Sequence, residues 1–112
     1  MKKQQKTGII NFTIDLDSNN IPEKINWEAT DSGNQKNDTK AVMISIWDAS
    51  QKSSLKIDLW TKEMMVEEMK FFTIQILDSL GDTYMKSTND EKIGNEIKMF
   101  AKKIGKMSNV LK

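Results

Sequence analysis

The sequence predicts an α+β domain: a four-stranded antiparallel sheet followed by two amphipathic helices (ββββαα), in two layers. Three observations predict it. Apolar and polar residues alternate with period two through roughly the first sixty positions, the signature of half-buried strands. The period then lengthens to three or four residues, the signature of helices with one apolar stripe. A helix-starting cluster, Thr88-Asn-Asp-Glu91, divides that second half in two. Strands grouped before helices are the mark of an α+β layer arrangement.

The first strand runs from about 8 to 16, where Ile10, Phe12, Ile14 and Leu16 alternate with Asn11, Thr13 and Asp15. Asp17-Ser-Asn-Asn20 has turn chemistry. The second strand, about 22–30, keeps Ile25, Trp27 and Ala29 in phase and closes a hairpin on the first. Residues 31–39 form the most polar stretch and read as a mobile loop. The third strand is 40–48. The fourth, about 53–61, sets Leu55, Ile57 and Leu59 against Lys56, Asp58 and Trp60. The first helix spans about 64–87 with Met65, Met69, Phe72, Ile76, Leu80 and Tyr84 on its stripe. In the second helix Thr88 and Glu91 make a capping box, and Ile93, Ile97, Phe100, Ile104, Met107 and Leu111 recur at 4-3-4-3-4 spacing as its core face. Gly94 and Gly105 weaken its intrinsic propensity, so packing has to hold it. The helices are expected to cover a sheet face made by Phe12, Ile14, Trp27, Ile44 and Ile57. Residues 1–7 read as a basic flexible arm and 8–112 as a single domain.

The third strand departs from simple alternation. Val42, Ile44 and Ile46 lie on one face, but Ala41, Met43 and Trp47 lie on the other, broken only by Ser45. A strand apolar on both faces is normally covered on both. Trp60 falls on the side of the fourth strand opposite Leu55, Ile57 and Leu59. Met43, Trp47 and Trp60 are therefore expected to form a protein-interaction face, covered by a second copy (a dimer or tetramer) or by another protein. The competing arrangement places one helix on each side of the sheet, or folds loops over the tryptophans.

Composition excludes several classes of function. Of 112 residues, all 17 cations are lysine, and there is no arginine, histidine or cysteine. A thiolate nucleophile, a histidine general base, an ordinary zinc site and a bidentate phosphate fork are all absent. Asp15-x-Asp17-x-Asn19 resembles the opening of a calcium loop, but Asn20 and Asn26 stand where that loop needs glycine and glutamate, so a hairpin turn is expected. Carboxylates such as Glu28, Asp48 and Asp58 read as solvated charge rather than a catalytic pair. No enzyme activity, cofactor or metal is expected. The lysines of 92–112, including the Lys98, Lys102 and Lys106 stripe, suit a solvated helix face near a negative helix end. Nucleic acid is not an expected partner. No apolar run follows the basic start and none is long enough to span a bilayer, so a cytoplasmic protein is expected.

Three segments carry a family resemblance. They are Asn20-Ile-Pro-Glu-Lys-Ile-Asn-Trp-Glu-Ala-Thr-Asp31, then Ile57-Asp-Leu-Trp-Thr-Lys-Glu-Met64 with Glu67-Glu-Met-Lys-Phe-Phe72, and Thr88-Asn-Asp-Glu-Lys92. From about residue 9 to 107 the chain resembles the gliding motility protein GldC family of the Bacteroidetes. It departs in its longer basic start and in Met65, where that family is expected to begin a helix with proline. The resemblance implies an accessory protein of the gliding machinery, with no stated reaction and no site residues to carry over. Gliding-machinery or exported proteins are the implied partners. The order of elements is also similar to that of the SecB export chaperone, which makes a cytoplasmic holdase for exported proteins the alternative expectation.

Overall fold

The computed structural model describes residues 6–33 and 35–110. Most of the expected N-terminal arm (residues 1–5) and Leu111 lie outside them. The chain divides into two compact units, residues 1–64 and 65–112, and each is built by its own local chemistry.

Among its described residues the first unit holds the strands β1 (Ile10–Leu16), β2 (Pro22–Ala29), β3 (Asn37–Thr39), β4 (Ala41–Asp48) and β5 (Ser53–Trp60). The expected single four-stranded sheet is replaced by two sheets, a three-stranded β1-β2-β3 and a two-stranded β4-β5. The cause is a break at Lys40. The stretch from 37 to 48 starts as a partner of β2, with Ile25 opposite Thr39 and Trp27 opposite Asn37. It bends at Lys40 and continues as the partner of β5. Two bonds mark the bend: the Thr39 hydroxyl donates to the Ala41 carbonyl at 3.1 Å, and the Thr61 amide donates to the Lys40 carbonyl at 2.8 Å. The expected sheet face is divided accordingly, with Phe12, Ile14 and Trp27 on one sheet and Ile44 and Ile57 on the other.

The stretch expected to be a loop, 31–39, also holds structure. A 3-10 turn at Thr30–Ser32 closes on Gly33, whose φ of 74° suits a residue without a Cβ. Asn37–Thr39 then pair with β2 despite their polarity. Backbone bonding to an existing strand outweighs the weak β propensity of Asn and Asp.

The first hairpin forms in the expected phase: Phe12 faces Trp27, Ile14 faces Ile25, and Ile25 is completely buried. Its turn is organised by Asp17. One carboxylate oxygen accepts the amides of Asn19 (2.8 Å) and Ile21 (3.0 Å), while Asn20 takes the left-handed conformation at φ 62°. Asp48 does the same for the second hairpin, accepting from the Gln51 amide at 2.8 Å and the Ser50 hydroxyl at 3.2 Å.

The second unit is a helical hairpin, α1 (Val66–Thr88) and α2 (Glu91–Met107). The Glu68 carboxylate accepts the Met65 amide at 3.1 Å, satisfying one donor at the start of α1. Asp90 caps α2 by accepting the Ile93 amide at 3.1 Å, in place of the expected Thr88. Thr88 is still helical, in the last turn of α1, and its hydroxyl accepts the Asp90 amide at 3.1 Å. Asn89, at φ 59°, makes the corner.

The helices meet through small residues. Gly81 of α1 and Gly94, Ala101 and Gly105 of α2 are the buried positions. A Cβ on Gly81 would lie 2.8 Å from the Gly94 carbonyl oxygen, and one on Gly94 would lie 3.0 Å from that of Gly81 and overlap the Met85 side chain. The two backbones therefore touch. Lys98 spans the seam, bonded to Asp82 at 2.8 Å and Asp78 at 3.2 Å. The expected core face of α2 is corrected by this packing. Ile97 and Ile104 are half-buried, but Ile93, Phe100 and Met107 are exposed. Glycine and alanine hold the centre of the contact with α1, with Ile104 at its margin, because only they allow the backbones so close.

Candidate protein-interaction face

In an antiparallel pair, residues directly opposite one another share a face. The β4–β5 register sets Ala41 against Trp60, Met43 against Asp58, Ser45 against Lys56 and Trp47 against Ser54. Met43, Trp47 and Trp60 therefore lie on one face of this ribbon, where the sequence placed them. Trp47 is 66% exposed and Trp60 55%, and Met43 is half-buried. Both residues thus keep more than half their surface exposed.

The structure does not bring the two tryptophans together. Six residues separate the Trp47 and Ala41 levels, so they stand about 20 Å apart along the ribbon. Between them lie Ser45 and the ion pair of Lys56 with Asp58, 3.5 Å apart. The face is two aromatic posts flanking a polar centre, with Met43 beside Asp58. Such a pattern suits a partner with apolar groups at two ends and polar groups between.

The opposite face of the ribbon is aliphatic up to the Asp48–Ser53 pair at its turn. Val42 pairs with Leu59, Ile44 with Ile57 and Ile46 with Leu55. Val42 is buried, but Ile46, Ile57 and Leu55 remain about half exposed. Sequence reasoning assigned this face to core; the alternation that revealed it carries no information about what covers it.

Away from this face, Asp17 is engaged structurally. The second oxygen of Asp17 meets the Lys62 ammonium at 2.6 Å, a link across 45 residues that no local pattern announces. Lys62 and then the Ile21 amide hold the Asp17 carboxyl down to about 2, and the same bond raises Lys62. The expected hairpin turn is thus the role of Asp17, with both oxygens occupied. A cleft of about 410 Å³ beside the Lys40 bend is lined by Glu23, Asp38 and Glu63 with Lys24 and Lys40. Thr61 lines it too; its hydroxyl is buried and makes no hydrogen bond within the protein. Among the described residues, no helix is long and apolar enough to cross a membrane.

Comparison with known proteins adds one finding. The sequence model of a family described as "Gliding motility-associated protein GldC-like" matches residues 22–110. That span begins at β2 and takes in β2 to β5 and both helices, leaving β1 outside it. No curated protein and no solved structure matches the chain significantly.

Proposed function

The chain belongs to the gliding motility-associated GldC-like family, and from that premise we propose that it acts by binding other proteins through the Met43, Trp47 and Trp60 face, with no catalysis of its own. The observation that carries this reading is the exposure of both tryptophans on one face of the β4–β5 ribbon. Trp is enriched at interface hot spots because it buries a large rigid area at small entropic cost. The lack of histidine and cysteine supports a non-catalytic role. The partners would be components of the gliding machinery, met in the cytoplasm.

The test is a crosslinked pull-down from native cells with the wild-type chain beside Trp47→Asp and Trp60→Asp. One or two stoichiometric motility proteins, lost in both variants, support the adaptor reading. Recovery unchanged in both variants would remove the tryptophan face from the function.

A SecB-like holdase is the second reading, favoured by the half-exposed aliphatic face that backs the tryptophans. An extended client could use either face of such a ribbon. A holdase suppresses aggregation of unrelated unfolded proteins at near-stoichiometric ratios; an adaptor does not.

A further inference from the structure

We propose that the apolar side of the α1–α2 hairpin is the docking surface for a second copy of this chain, the two hairpins joining as an antiparallel four-helix bundle. This goes beyond the partner reading above and uses different residues.

The hairpin has two unlike sides. On one side Val66, Met69 and Thr73 of α1 meet Ile104 of α2 around a groove of about 280 Å³. On the other, Asp78, Gln75, Asn95 and Lys102 flank the Lys98 bridge, with Met99 the one large apolar side chain exposed among them. At 100° per residue, Leu80 on α1 and Ile93, Phe100 and Met107 on α2 project to the first side. All four, together with Val66, stay largely exposed; Phe100 is 51% and Met107 69% accessible.

Three features select a second copy as the occupant. The first is spacing. Ile93, Ile97, Phe100, Ile104 and Met107 keep a 4-3-4-3 interval, the repeat that lets helices interlock side chains along a seam. The second is charge. α1 holds four acids and two lysines, α2 five lysines and two acids. A two-fold axis parallel to the helices lays α1 of each copy on α2 of the other, so opposite net charges meet twice. It also keeps every neighbouring pair of helices antiparallel, which their dipoles favour. The third is area. Five exposed large side chains at roughly 100 Å² each, with the stems of flanking lysines, approach the roughly 800 Å² per partner of a standard interface.

The test is the solution mass of the full chain by light scattering and sedimentation. The expected result is twice 12.9 kDa, with Phe100→Asp raising the dimer dissociation constant at least about 30-fold. Far-UV circular dichroism checks that the variant keeps its helices. Met107→Asp is the second variant, since so exposed a side chain can change without unfolding the hairpin, and it is expected to weaken the dimer too. Trp47→Asp is expected to leave the mass unchanged. A wild-type chain of 12.9 kDa at high micromolar concentration overturns the proposal. So does a dimer that survives Phe100→Asp and Met107→Asp, or one that dissolves only in Trp47→Asp. Loss of partner capture in the tryptophan variants, with the dimer intact, would separate the two surfaces.

Discussion

Asp17 joins a local turn to a distant residue. Its carboxylate holds two amides of its own turn and the Lys62 ammonium. A carboxyl held at about 2, below its ordinary 3.8, stabilises the fold fully above the unfolded value and loses that contribution as pH falls through about 2. The side-chain carbon signal of Asp17 is therefore expected to titrate near 2, and Asp17→Asn to remove that acid-sensitive step from the unfolding profile. A midpoint near 3.8 in the folded chain would show that the Lys62 bond does not form in solution. Gly81 is decided by a different balance. Alanine there would gain about 1 kcal/mol of helix propensity. Its Cβ, however, would sit 2.8 Å from the Gly94 carbonyl, and forced overpacking costs about 1–3 kcal/mol. The backbone oxygen cannot rotate away as a side chain can, so the clash wins. Gly81→Ala is expected to lower the helix melting temperature, followed by circular dichroism at 222 nm.

Elements carry the contrast between core and docking face. In the first sheet, Ile25 is fully buried with Ile14 and Thr39 on either side in register. Ile25→Ala is expected to cost about 2–5 kcal/mol in chemical denaturation. In the β4–β5 ribbon, Trp47 lies opposite the small Ser54 and is mostly exposed. Trp47→Asp is therefore expected to change stability by about 1 kcal/mol or less while abolishing partner capture. If Trp47→Asp unfolds the chain, the residue is core and the docking assignment fails. α2 shows why a helical stripe does not name its partner. Its large apolar residues and its small ones lie on adjacent faces, and the small face took α1.

Under the two proposals, the whole molecule divides its binding between two surfaces. The tryptophan face belongs to the strand unit and the apolar hairpin side to the helix unit. Sites that share no partner act additively. A Trp47→Asp/Phe100→Asp chain is expected to show the capture defect of the first change and the mass defect of the second, each at its single-variant size. A non-additive result in either readout would mean that the two surfaces form one interface.

Membership of the GldC-like family was legible in the sequence, through the segments around Trp27, Trp60 and Thr88. So were the strand-then-helix order, both hairpins, and the placing of Met43, Trp47 and Trp60 on one face. These follow from alternation and turn chemistry, which act between near neighbours. The division into two sheets at Lys40, the pairing of polar Asn37–Thr39 with β2, the Asp17–Lys62 bond and the contact of Gly81 with Gly94 were not legible. Each depends on what a distant segment presents: an unpaired strand edge, an ammonium, a carbonyl oxygen. A periodic pattern tells which side of an element is apolar, and only the packed chain tells what that side meets.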